Sequence, residues 1–211
     1  MLLHGLSLLR DDPWGFVKIF LATSLALVIA ISIHEMCHAI AATSLGDDTA
    51  KRQGRLTLNP LAHLDPIGTI LLFLVGFGWG KPVPVNPLNL KFGERRGMAI
   101  VGMAGPLSNL VLAAIFAIAI RLINGEAAEV LLQIFFINII LAVFNLIPIP
   151  PLDGSKVLLP LLPASMDYFK DNMERYGFFI LLGFIFVVGF QWVLPIIFSI
   201  YYLLTGAPLP F

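Results

Sequence analysis

Two histidines four residues apart, with a glutamate beside the first, stand in the run Ile31-Ser32-Ile33-His34-Glu35-Met36-Cys37-His38-Ala39. On a helix, positions i and i+4 share a face, so both imidazoles can reach one metal ion. Neutral imidazole nitrogen suits Zn²⁺, and a catalytic zinc takes three protein ligands while a fourth position stays open. Glu35 then stands where a carboxylate can take a proton from water attacking a carbonyl and later pass it to the leaving amine. The run ends a long apolar stretch, 16–42. Ionisable groups there are costly, by roughly 2.5 kcal/mol or more for a charged one, unless they pair or bind metal. That cost favours a metal site over accidental spacing.

A third ligand must be a histidine or an acid at matching depth, and Asp153 meets both conditions. It closes the run Phe144-Asn145-Leu146-Ile147-Pro148-Ile149-Pro150-Pro151-Leu152-Asp153-Gly154, whose three prolines cannot continue the helix before them. Non-helical backbone at that depth has to line a polar cavity. Asp153 is read as a zinc ligand in preference to a cap on the following helix, which gives one Zn²⁺ per chain held by His34, His38 and Asp153. Cys37 is read as a packing residue and His63 as a turn or packing residue, while His4 carries no argument.

The elements that must position these groups are membrane helices. In 211 residues, 58% are apolar and 12% charged, and the mean hydropathy is +0.91, too apolar for a water-soluble globule. Thirteen basic and thirteen acidic residues cancel, which gives no reason to expect a nucleic-acid partner. With one cysteine there is no intrachain disulfide. Residues 16–42, 98–123 and 127–147 are each long enough to cross a bilayer, and 176–204 supplies a fourth span, as one kinked helix or as two pieces. The first is a retained anchor and not a cleaved leader, because it carries the candidate ligands.

Residues 66–79 are too short to span comfortably and read as a re-entrant element; if they span, the helices number five. Left re-entrant, they put ten of the thirteen Lys and Arg residues on one side, together with the site, which makes that side cytosolic and the protein a multi-pass protein of the cell membrane. The expected fold is thus an α-helical integral membrane protein of four transmembrane helices. A re-entrant segment and a small cytosolic-side β-sheet are expected within 46–92, the sheet drawn from 55–58 and 81–86. The whole chain, 1–211, is expected to form one domain with its catalytic core over 16–160.

The His34-Glu35-x-x-His38 and Asn145-x-x-Pro148-x-Pro150-Pro151-Leu152-Asp153-Gly154 motifs together resemble the site-2 protease family. The likeness extends to Gly105-Pro106-Leu107-Ser108-Asn109 and to Asn59-Pro60-Leu61-Ala62-His63-Leu64-Asp65-Pro66. It implies intramembrane zinc proteolysis of single-span membrane substrates, with His34, His38 and Asp153 on the zinc, Glu35 as general base and Asn145 helping to hold substrate. No segment here is long enough for the PDZ or CBS domain of many members, so a minimal form is expected. Taken from the residues alone, Asn145 is balanced between polarising the scissile carbonyl and bonding helix to helix, and Asn109 and Asn138 lean toward the latter. The competing function is a zinc-binding membrane protein without catalysis, a transporter or pseudoprotease, which has little need of a base such as Glu35. Oligomeric state and substrate identity have no signature in the sequence.

Overall fold

The computed structural model describes residues 10–75, 78–123, 125–187, 191 and 193–206. Helix α1 (Pro13–Ser44) begins with Pro13 in its first turn and the Asp12 carboxylate accepting from the Gly15 N–H at 3.0 Å, both favourable at a helix start. At 32 residues it extends about 48 Å, more than a bilayer core requires. A short helix α2 (Thr49–Arg52) and helix α3 (Pro66–Val75) follow, then helix α4 (Gly93–Leu122) and helix α5 (Glu126–Asn145). Among the described residues, three helices are long and apolar enough to cross a membrane: α1, α4 and, over Ala127–Asn145, α5.

Those three pack on one another through stripes of small residues. The buried positions of α1 include Ala26, Ala30, His34, His38 and Ala42, each four after the last, and those of α4 include Gly97, Val101, Gly105, Asn109, Ala113 and Ala117, again four apart. Small side chains let helix backbones approach closely where lipid leaves no hydrophobic driving force between them. The close seam is what brings the histidines of α1 against α4. Further along α4, Ala113 and Ala117 pack with Phe135 and Ile139 of α5 and with Val193, Ile197 and Tyr201 of a C-terminal helix.

Among the described residues, the stretch expected as a fourth span falls on helices α7 (Asp167–Val187) and α8 (Val193–Thr205), preceded by the short helix α6 (Asp153–Leu158). Helix α8, at 13 residues, reaches about 20 Å and so falls short of the hydrocarbon thickness. The expected β-sheet within 46–92 is not found: among the described residues that region holds only an isolated antiparallel bridge between Leu64 and Gly80. Prolines at 82 and 84 remove the N–H groups a ladder needs, and the chain bends at Leu56 and Thr57, with the Thr57 carbonyl facing His63 Nε2 at 2.8 Å. The same bridge shows that residues 66–79 leave where they enter. A side chain at Gly68 would strike the backbone of Trp79, so the returning chain lies directly against α3.

Asp47 anchors the loop region to the end of α1. Although fully buried, it accepts from Thr49 N–H (3.2 Å), Thr49 Oγ1 (2.5 Å), Asn86 N–H (2.7 Å) and Asn89 Nδ2 (3.0 Å). Burial pushes its carboxyl pKa up, but these donors outweigh burial and hold it below the usual carboxylate value. A depressed folded-state pKa stabilises the protein above the unfolded value and is lost as pH falls through the folded one. Asp47→Ala is therefore expected to cost about 2 kcal/mol near neutral pH. Thermal unfolding in detergent should show that deficit start to shrink below about pH 4, the unfolded carboxylate's value, and close as pH falls through the lower folded-state value.

Candidate metal centre

The histidines of α1 sit where that helix crosses α4. His34 Nδ1 lies 2.6 Å from Asn109 Oδ1, and His38 Nδ1 lies 2.7 Å from the Val101 carbonyl oxygen. The Asn109 amide is oriented by its other end, where Nδ2 donates to Asn138 Oδ1 (2.9 Å) and to the Ala30 carbonyl (3.3 Å). Asn138 in turn donates from Nδ2 to the Ile134 carbonyl at 2.8 Å. The chain of partners leaves only an oxygen to face His34, so His34 Nδ1 must carry the proton. The Val101 carbonyl requires the same of His38. In its neutral form each imidazole therefore presents a bare Nε2 lone pair, and the two face one another.

Asp153 completes the set from the first turn of α6. Its Oδ2 lies 3.0 Å from His34 Nε2 and 3.0 Å from His38 Nε2, while the two ring nitrogens are 3.1 Å apart. Its Oδ1 accepts from Lys156 Nζ at 2.8 Å. All three residues are at least 94% buried. Three lone-pair donors converging at that distance in a dry site repel unless a cation lies among them. Ligands on a tetrahedral zinc with bonds of about 2.0–2.1 Å lie about 3.3 Å apart, close to these separations. No side chain intrudes from α4, because the residue facing the rings is Gly105. A Cβ there would lie 2.5 Å from His34 Nε2 and in still closer contact with His38 Nε2. The donor set, the fixed tautomers and this clearance fit one Zn²⁺.

Glu35 is half-buried on the adjoining face and points to the returning loop, where its Oε2 accepts from the Val83 N–H at 3.2 Å. Asn145, at the end of α5, donates its Nδ2 to the Leu141 carbonyl of its own helix at 2.9 Å and makes no hydrogen bond to the cluster. Cys37 is a free thiol outside the ligand group. His63 is fully buried and structural, with Nε2 on the Thr57 carbonyl and its own carbonyl accepting from Lys81. His4 lies outside the described residues. Sequence reasoning missed Asn109 as the group that orients His34, and Gly105 as the clearance. The available signal was their place in the four-residue stripe of α4.

Residues 121–188, which include Asn145 and Asp153, match the family described as Peptidase family M50. Two relatives are both named "Putative zinc metalloprotease": YwhC of Bacillus subtilis is 43% identical over 75% of this chain and 77% of its own length, and Rip2 of Mycolicibacterium smegmatis is 30% identical over 81% and 68%. The chain belongs to peptidase family M50. A more distant relative, zinc metalloprotease MJ0392 of Methanocaldococcus jannaschii, is 26% identical over 80% of this chain and 41% of its own. No solved structure matches the chain. Membership of this family, whose relatives are named for zinc, agrees with the donor set built by α1, α4 and α6.

Proposed function

We propose that this M50 member is a zinc metalloendopeptidase that hydrolyses peptide bonds in or near the transmembrane segments of single-span, membrane-anchored proteins, as in regulated intramembrane proteolysis. The observation that carries the reading is the convergence of three lone pairs, two of them from a helix long enough to cross a bilayer, with a carboxylate, Glu35, next in sequence to one of the histidines. A bound zinc supplies a Lewis acid that polarises a carbonyl and makes water more acidic. Glu35 takes the proton of the attacking water at its carboxylate and returns it to the amine of the departing chain. Asn109 and Val101 hold the imidazoles with their Nε2 atoms facing inward throughout. Asn145, whose amide donates to the Leu141 carbonyl of its own helix, would hold the substrate carbonyl only after leaving that bond.

A peptide bond in a helix is closed off by its own hydrogen bonds, so substrate must unwind before attack. Residues 81–86, whose Val83 N–H meets Glu35, would lie beside the unwound strand and offer it mainly carbonyl acceptors, since Pro82 and Pro84 have no donor. The excess of Lys and Arg in the loops on the site's side supports a multi-pass protein of the cell membrane with its site toward the cytosol. Purified protein incubated with single-span peptides is expected to yield discrete fragments by mass spectrometry, and a zinc chelator is expected to stop their formation until zinc is restored. Cleavage that persists in chelator, or zinc-loaded protein that cuts no member of a broad panel, would refute the proposal.

A further inference from the structure

Residues 80–83 are held at three points. The Lys81 N–H donates to the His63 carbonyl at 2.8 Å, the Lys81 carbonyl accepts from Arg55 Nη2, and the Val83 N–H donates to Glu35 Oε2 at 3.2 Å. Pro82 and Pro84 have no N–H, so Lys81 and Val83 supply the backbone donors of 81–84, and both are engaged within the protein. Whatever sets the placement of Lys81 therefore also sets the Val83 N–H that meets Glu35.

Arg55 is the residue placed to do this. It is only 5% exposed, and its Nε has no hydrogen-bond partner among the described residues. Burial lowers its pKa, and the carboxylate of Glu35 is the charge that offsets this. A guanidinium with one backbone acceptor and no ion pair within contact distance, among the described residues, is expensive for a loop that needs only to be packed. Its one firm grip is on the segment that touches Glu35.

We infer that Arg55 is a positioning residue for Glu35: by holding the Lys81 carbonyl it fixes residues 80–83, and with them the Val83 N–H that orients the Glu35 carboxylate. This rests on the proteolytic reading above for the role of Glu35, but the grip itself is tested without turnover. The full chain and its Arg55→Gln and Arg55→Lys variants are compared in detergent for bound zinc, for amide hydrogen exchange over residues 80–85, and for kcat and KM on a single-span peptide. Arg55→Gln is expected to keep its zinc, exchange the Val83 amide faster, and lose about tenfold to a hundredfold in kcat with a smaller change in KM. Arg55→Lys, with one charged donor still able to reach a carbonyl, recovers part of both losses.

Unchanged exchange over 80–85 in Arg55→Gln overturns the inference. So does a defect confined to KM, which places Arg55 in substrate docking, and so does loss of zinc, which makes it a support for the metal centre as a whole. If the zinc-loaded wild type cuts nothing, the proteolytic reading fails, while the exchange measurement still decides whether Arg55 holds Val83.

Discussion

Glu35→Gln is expected to abolish peptide cleavage and leave zinc bound at one ion per chain. The substitution keeps the size of the side chain and leaves an oxygen able to accept from the Val83 N–H. What it removes is the ability to take a proton. General acid–base groups contribute about 10²–10⁴-fold to rate, so turnover should drop by at least that range while zinc measured by atomic absorption stays at wild-type level. The ligands are untouched, since His34, His38 and Asp153 meet without Glu35. Retained cleavage would show that another group moves the proton and would open the way to the non-catalytic reading of the histidine motif. Loss of zinc together with activity would instead make Glu35 part of the metal's support. The variant separates a hydrolase from a zinc binder because only the hydrolase needs that proton moved.

Different parts of this site were legible to different degrees. His34 and His38 share a face by helix periodicity alone, so their pairing needed no tertiary information. Asp153 lies 119 positions from His34 and was reached through depth, because the prolines of 148–151 stop α5 at the level of the histidines. The return of residues 66–79 followed from a run too short to cross, and the Leu64–Gly80 bridge is its structural counterpart. The β-sheet expected in 46–92 failed for a local reason: alternation over 55–58 and the proline-marked, edge-strand character of 81–86 point to strands, but prolines at 82 and 84 leave too few donors for a ladder. For 176–204, Gln191 and Pro195 fit either a kinked helix or two pieces; among the described residues α7 ends at Val187 and α8 starts at Val193, with Pro195 tolerated in its first turn.

Asn109 was harder to read for a physical reason. A polar residue in a span commonly bonds helix to helix, and Asn109 does so through Nδ2 to Asn138 and Ala30. Its second role, turning the proton of His34 away from the centre, depends on which end of the amide faces which neighbour. No spacing rule contains that. Within the stripe Gly97, Val101, Gly105, Asn109, Ala113, Ala117, the residues Val101, Gly105 and Asn109 nevertheless mark the face of α4 that meets α1, and they match in period the stripe of α1 on which both histidines lie. Two stripes of the same period place the ligands of one helix opposite the smallest residue of the other.

Gly105→Ala is expected to lose zinc, and with it all cleavage, without unfolding the protein. The added methyl would lie 2.5 Å from His34 Nε2 and closer still to His38 Nε2, far inside van der Waals contact. These are the ligating atoms themselves, held from behind by Asn109 and Val101, so they have no slack in which to retreat. Relief must come from tilting the rings or from parting α1 and α4, and either spoils a coordination sphere that tolerates displacements of only about 0.2 Å. Disturbing groups that merely orient metal ligands costs about 10–100-fold in affinity, and intrusion on the ligand atoms should exceed that. Helix propensity runs the other way, since alanine favours α4 by about 1 kcal/mol over glycine, so a general loss of stability is not the expected cause. Gly183→Ala provides the comparison, because a methyl there meets nothing within 4 Å. That variant should keep wild-type zinc and turnover, whereas Gly105→Ala, folded by circular dichroism and monodisperse in detergent, should carry little metal at micromolar zinc. Full zinc occupancy in Gly105→Ala would mean that the ion is held somewhere other than between His34, His38 and Asp153.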